Sequence, residues 1–290
     1  MGAADGSEGP RPEQFLPPGT GIVAGIRLRA LVAAADLMLA LRARVARQAR
    51  RLDELDRGTP ARKALAAAVY RPDSAWMEAA AAEIRRSRHD VRLVLGSTGA
   101  ARPALAADTV AEGLAHGKFQ NLNSLLEAAG GAGGADRLLI VDDDVQLPPR
   151  FLDRLLAVCE RFELDLAQPA LTRSSHTAWP VTRRRAGSLV RETRFVEIGP
   201  VTLFSSRAAS ELTPFPELRF GWGLDSHWSA LAAQRGWRLG VVDAVPVRHS
   251  GRTTASSYSR GEAVDEARRF LAGRSWLPVE RADDVVAIHR

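Results

Sequence analysis

Residues 137–144 read Arg137-Leu138-Leu139-Ile140-Val141-Asp142-Asp143-Asp144, and the fold turns on that stretch. A short uninterrupted apolar run is the pattern of a strand covered on both faces. Here it runs straight into three carboxylates. Ligands of open α/β sheets bind beyond the carboxyl ends of strands. Three adjacent negative charges repel one another, and burial raises the cost. A divalent cation would relieve it, since Mg²⁺ and Mn²⁺ take oxygen ligands and Mg²⁺ is usually shared between carboxylates and substrate phosphates. Side chains alternate along an extended chain, so Asp142 and Asp144 project to one side. The competing reading is a solvated acidic turn or a helix cap.

Upstream, 64–70 is a short apolar run that ends at Arg71-Pro72-Asp73 and reads as the first strand. Ser74 is a good N-cap for a helix reaching about Arg86. Residues 91–95 form a second strand closed by Gly96-Ser97-Thr98-Gly99. A helix over 119–128 follows, after a short helix or variable connection at 104–114, and glycines break the chain at 130–134. Downstream, Pro148 and Pro149 open a helix to about Phe162, and 164–171 is another strand. Strands alternating with helices predict an α/β domain with a mostly parallel central sheet flanked by helices. The second half is less regular. It reads as one long antiparallel strand over 195–204, a helix over 224–234, a strand over 237–242, a polar loop over 252–258, and a last helix over 263–271 before an extended tail.

The chain has 290 residues, 46% of them hydrophobic, and a formal charge of +6. That suits one large domain with a sizeable core. Only Lys63 and Lys118 are lysines, so the positive charge is almost all arginine. It fits either an acidic partner or the arginine and alanine bias of a GC-rich genome. The single cysteine, Cys159, allows no intrachain disulfide and reads as a buried core residue. No signal peptide pattern opens the chain, and no apolar stretch is long enough to span a membrane. These features predict a cytoplasmic protein. Residues 1–20 read as a disordered tail. Residues 21–60 read as an N-terminal helix, because Leu31, Ala35, Met38, Leu41, Val45, Ala49, Leu52 and Leu55 recur every three or four positions. That helix either packs on the domain or pairs in a homodimer, or its stretch 22–56 lies on the inner, anionic face of a membrane. The α/β domain spans 61–251, and 252–290 supply a loop, helix and tail.

Five motifs in order carry a family resemblance: Tyr70-Arg71-Pro72, Gly117-Lys118-Phe119-Gln120-Asn121-Leu122-Asn123, Val141-Asp142-Asp143-Asp144-Val145, Gly221-Trp222-Gly223-Leu224-Asp225 and Val247-Arg248-His249. Together they resemble the GT-A glycosyltransferases, most nearly the family 2 group; the runs Gln168-Pro169-Ala170-Leu171 and Trp222-Gly223-Leu224-Asp225 also resemble a related GT-A-like plant and bacterial domain family of unknown function. The resemblance implies a nucleotide-diphosphate-sugar donor, a Mn²⁺ or Mg²⁺ cofactor and an acceptor that is a saccharide, a lipid or a small molecule. It places Tyr70 and Arg71 at the base and ribose, Gly96, Ser97 and Thr98 at the base, and Lys118 near the nucleotide. Asp142 then holds the ribose or the metal and its water, Asp144 holds the metal, and Asp143 takes either role. Asp225 becomes the catalytic base of an inverting transfer; a carboxylate at the start of a helix is also a plausible N-cap. His249 becomes a third metal ligand, or a histidine hydrogen-bonded within the fold.

Other residues stay open. Trp222 is placed to stack on a sugar, while Trp179, Trp228 and Trp237 read as core. His227 reads as structural. Arg248, Arg252, Tyr258 and Arg260 could form a loop over the diphosphate. Glu197 interrupts an apolar strand and faces either the acceptor cleft or solvent. Two other functions compete. A nucleotidyltransferase acting on a sugar phosphate shares the acidic sheet but usually needs a glycine-rich basic loop after its first strand, which Tyr70-Arg71-Pro72-Asp73 lacks. A non-enzymatic basic nucleic-acid-binding protein fits the charge but no motif, so no nucleic-acid partner is expected.

Overall fold

A computed structural model describes residues 10–11, 14–15, 34–42, 48–249 and 259–290. The expectations for 1–9, 12–13 and 16–20 of the tail, for 21–33 and 43–47 of the N-terminal helix, and for the loop over 252–258 with Arg252 and Tyr258 lie outside these residues. Among the described residues the chain runs α1 (Gln48–Gly58), β1 (Lys63–Tyr70), α2 (Ala75–Arg85), β2 (Asp90–Ser97), β3 (Thr109–Ala111), α3 (Lys118–Ala128), β4 (Arg137–Val141), β5 (Val145–Gln146), α4 (Phe151–Arg161) and β6 (Leu166–Leu171). It continues with β7 (Val190–Thr193), β8 (Val201–Ser205), α5 (Ser206–Leu212), α6 (Leu224–Arg235), β9 (Leu239–His249), α7 (Arg260–Leu271) and β10 (Val285–His289).

One sheet organises the molecule, in the order β10-β7-β9-β6-β8-β4-β1-β2-β3, with β5 paired to β9. Strands β4, β1, β2 and β3 run parallel. β6 runs parallel to β9, and β8 is inserted antiparallel between β4 and β6. From β1 the chain moves out to β2 on one side and later returns to β4 on the other. The gap beyond the ends of β1 and β4 is therefore a topological switch point.

The apolar run of β4 is buried at every position, and alternation explains why. Leu139 and Val141 pack with Met77, Ile84, Leu155 and Cys159 on the α2–α4 face. Leu138 and Ile140 pack with Phe119, Leu122, Trp228 and Phe270 on the α3–α6–α7 face. Ser74 caps α2 by accepting from the Met77 N–H. α1 packs on α4 with Leu52 and Asp56 buried. Asp56 is fully buried and is held by Arg88 Nε at 3.1 Å and by Arg150.

Two expectations need correction. Of the strand expected over 195–204 only 201–204 lie in a strand, β8; 195–200 leave the sheet through Gly199-Pro200, and β7 comes before them; proline has no N–H for a ladder. The tail is not merely extended, since β10 adds to β7 as an antiparallel strand. β3, β5 and α5, of three, two and seven residues, are too short for a periodic pattern. Trp179 and Trp228 are core residues, and the His227 Nδ1 bonds the Ser275 carbonyl at 2.7 Å.

The β7–β9 pairing rests on a buried bidentate ion pair, Arg191 Nε to Asp243 Oδ2 at 2.8 Å and Nη2 to Oδ1 at 2.9 Å. Arg191 also donates to the carbonyls of Val181 and Arg183. Removing one partner of such a pair strands the other charge. Arg191→Met should therefore lower unfolding stability by about 3–5 kcal/mol in urea titration; stability within error of wild type would show that the pair does not hold this half of the sheet.

Candidate active site

The three carboxylates beyond β4 take three different partners. Asp142 Oδ1 lies 2.6 Å from Lys118 Nζ, at the start of α3. Asp143 turns back toward β1: its Oδ2 accepts the Arg71 N–H at 2.9 Å, and its Oδ1 pairs with Arg71 Nη2 at 2.9 Å. Ser74 donates its hydroxyl to the Asp143 carbonyl. Asp144 Oδ1 lies 3.2 Å from His249 Nε2. That last pairing follows from backbone register, since β5 pairs Val145 with His249 and Gln146 with Arg248.

Close approach of backbone builds this corner. A Cβ on Gly199 would lie 2.8 Å from Asp142 Oδ2 and 3.1 Å from Lys118 Nζ, and Lys118 Nζ also donates to the Ile198 carbonyl at 3.1 Å. Gly117, which caps α3, has its Cβ position 2.1 Å from the Arg219 carbonyl oxygen. Only glycine permits such contacts.

A cavity of about 520 Å³ opens over the switch point. Among its walls are Tyr70, Arg71 and Thr98 from the ends of β1 and β2, Lys118 from α3, Asp142, Asp143 and Asp144, and His249. The structure thus brings together most of the residues singled out by sequence. His116, Asn121, Arg219 and Phe220 also line it. Sequence reading missed their roles because their neighbourhood depends on the Gly117–Arg219 contact across the fold. Asn121 carried a usable signal, as an amide inside an otherwise apolar helix face. It is 2% exposed, donates to the His116 carbonyl at 2.8 Å, and leaves its Oδ1 without a partner.

Four expected placements change. Ser97 is fully buried outside the cavity wall, with its hydroxyl donating to the Ala100 carbonyl at 3.0 Å; it shapes the loop that presents Thr98. Tyr70 reaches the wall, yet its hydroxyl is 2.9 Å from Thr109 Oγ1 and accepts the Arg102 N–H, so it is spent on the fold. Asp143 lines the cavity with both oxygens paired to Arg71, which ties the end of β1 to the end of β4. Trp222 is partly buried against the α3–α6–α7 core and does not line the cavity. Arg260 begins α7 and is exposed.

Asp225 does not line the cavity. It is not an N-cap, because Gly223 caps α6 in the left-handed region. Asp225 is 7% exposed, and its Oδ1 accepts the Ser226 N–H at 2.8 Å. Burial pushes its pKa up to about 7, against the pull of the Ser226 and Asp225 N–H groups. Glu197 feels the charges of Asp225, His249, Lys118 and Asp142. Burial and then the Asp225 charge push it up to about 8, while His249 and Lys118 draw it down. At the corner itself, burial alone would raise Asp144, but the His249 hydrogen bond and charge outweigh it and the pKa falls. Burial alone would lower His249, but the same bond to Asp144 raises it.

Among the described residues, no third His, Cys, Asp or Glu completes a ready-made metal cluster with Asp144 and His249. Those two offer a carboxylate oxygen and an imidazole nitrogen, with Asp142 in the same cavity. Mn²⁺ and Mg²⁺ accept such a partial donor set when phosphate and water complete it. The residues therefore fit a cation that is shared with a bound diphosphate.

No protein-family model and no curated protein sequence matches the chain. Solved structures do. The chain is similar to the mannosyltransferase PcManGT from Pyrobaculum calidifontis in complex with GDP-Man and Mn²⁺, with TM-score 0.50 and 14% identity over 79% of this chain and 69% of that one. It is also similar to S. aureus TarS 1-349 in complex with UDP-GlcNAc, with TM-score 0.50 and 14% identity over 72% of this chain and 65% of that one. The described chain has the GT-A fold of these glycosyltransferases.

Proposed function

We propose that this chain is a metal-dependent glycosyltransferase that moves a sugar from a nucleoside-diphosphate donor to an acceptor hydroxyl with inversion. The observation that carries it is the convergence of Asp144 and His249 with Lys118, Asp142 and Arg71 around one cavity at the switch point. Enzymes of this fold run other chemistry as well, so the reading stands on the site.

Asp144 and His249, with Asp142 alongside, would hold Mn²⁺ or Mg²⁺, which offsets the charge that grows on a departing diphosphate. Lys118 and Arg71 add fixed positive charge at the same rim. Asp225 is the base that takes the acceptor proton as that oxygen attacks the anomeric carbon. One base suffices for inversion, and the described site needs no covalent nucleophile. The acceptor stays open among saccharide, lipid and small molecule. Leu37, Met38 and Leu41 are exposed on one side of the helical stretch 34–42. Asp36 of that stretch binds the N–H groups of Arg173 and Ser174. These apolar side chains, in an arginine-rich sequence, support a peripheral contact with an anionic membrane near the site.

Asp144→Ala should weaken Mn²⁺-dependent binding of UDP or GDP on the order of 100-fold, measured by calorimetry with and without chelator. Binding that keeps its full metal dependence would remove Asp144 from the site. Should the wild type instead release pyrophosphate from a nucleoside triphosphate and a sugar phosphate, the nucleotidyltransferase reading would replace this one.

Asp225→Asn should keep nucleotide affinity and lose transfer by roughly 10²–10⁴-fold. The base works only when ionised, and its pKa is raised to about 7. The wild-type kcat/KM should therefore fall as pH drops through about 7, not through the 3.8 of an ordinary Asp. A raised carboxyl pKa also means that ionisation costs stability as pH climbs from about 4 to about 7. Asp225→Asn should accordingly melt at a higher temperature than wild type at pH 8. An acid limb near 4, or full transfer by the variant, contradicts the assignment.

A further inference from the structure

One charge interrupts the apolar stripe of the last helix. On α7, Ala263, Ala267, Phe270 and Leu271 are buried, and helical spacing puts Glu266 on their face. A half-buried carboxylate there needs donors. It finds three in succession. Its Oε2 accepts the Arg219 N–H at 2.7 Å, and its Oε1 accepts the N–H groups of Phe220 at 2.9 Å and Gly221 at 3.1 Å. Residues 219–221 belong to no helix or strand, so the carboxylate satisfies backbone groups that no ladder does. Hydrogen bonds to an ionised acceptor are the stronger kind.

The segment held in this way is one that reaches the cavity. Arg219 and Phe220 line it, whereas Glu266 does not. The Arg219 guanidinium lies 5.3 Å from the centre of the Phe220 ring. Two helices enclose the same stretch of chain. On the α3 side, Gly117 meets the Arg219 backbone, and a Cβ on Gly221 would lie 2.6 Å from the Phe119 ring. On the α7 side, a Cβ on Gly223 would lie 3.1 Å from Leu271 Cδ1. The chain then enters α6, whose second residue is Asp225. One carboxylate outside the cavity thus fixes part of its wall, four residues before the proposed base at the nearest.

We propose that Glu266 is a positioning residue for nucleotide binding, holding 219–221 so that Arg219 and Phe220 meet a nucleoside diphosphate in the cavity. This rests on the function proposed above, which brings the nucleotide there. Arg219 offers forked donors to phosphate oxygens, and Phe220 offers apolar surface. Without the carboxylate the three N–H groups turn to water, and the two side chains lose their fixed place.

Calorimetry with UDP and GDP in Mn²⁺ tests this on wild type, Glu266→Ala, Glu266→Gln, the double variant Arg219→Ala/Phe220→Ala, and the double variant combined with each Glu266 change. Glu266→Ala and the double variant should each weaken Kd about tenfold. Glu266→Gln keeps one oxygen for Phe220 and Gly221, and its loss should be smaller. In the double variant, either Glu266 change should cost nothing further. That last reading separates positioning from general loosening, because a helix displaced as a whole would weaken binding whether or not the two side chains are present. Should Glu266→Ala fail to fold, Glu266→Gln carries the same cycle. Three results would overturn the assignment: Glu266 variants that bind as wild type does, a double variant that binds as wild type does, or an equal Glu266 loss in both backgrounds. All three leave the glycosyltransferase reading standing. If wild type binds neither UDP nor GDP with Mn²⁺, that reading falls and the positioning role falls with it.

Discussion

Three carboxylates in a row at the end of a buried strand are the constraint around which the site is built. Two unit charges 4 Å apart at a protein surface interact by about 4 kcal/mol, so Asp142, Asp143 and Asp144 cannot share one environment. The structure separates them by giving each a cation or imidazole from a different element: α3 through Lys118, the β1 loop through Arg71, and β9 through His249. The charge that would destabilise β4 in isolation instead ties β1, α3 and β9 to its end. The same repulsion thus assembles the cavity's walls around the end of β4.

Asp143 shows the division of labour. Both of its oxygens are committed to Arg71, and its carbonyl to the cap of α2. It is the most buried of the three. This fixes the loop after β1 against the loop after β4, and so sets the width of the switch-point cleft. Asp142 and Asp144 are each paired through one oxygen only, to the Lys118 ammonium and the His249 imidazole, and both lie on the cavity wall.

The apolar runs made the first half of the fold readable. β1, β4, α2, α3 and α4 were legible within a few residues because burial on both faces, capping at Ser74 and period in the helices all agree. The second half was not, and the reasons differ by element. β5 is two residues long, yet its register carries His249 to Asp144; no sequence pattern reports a two-residue pairing. Pro200 sits in an apolar stretch that reads as one strand but leaves the sheet. Within the site, residue type was legible and side-chain direction was not. Tyr70 and Ser97 occupy the right loops with hydroxyls turned inward to Thr109 and Ala100. Arg219 and Phe220 enter the cavity only because Gly117 lets their backbone press on α3.

The carboxylates away from β4 follow the opposite logic. Asp142, Asp143 and Asp144 are matched with positive or protonatable partners, whereas among the described residues Asp225 is met only by backbone N–H groups and Glu197 Oε2 by no donor. A buried acid without a counter-charge is held near its uncharged form, and a base so placed gains strength at the moment it accepts a proton. Such an arrangement costs fold stability, which is the usual signature of a working site rather than of a scaffold. The β4 carboxylates are stable because they are paired. Asp225 and Glu197 have no such counter-charge bonded to them, and burial holds both toward their uncharged forms.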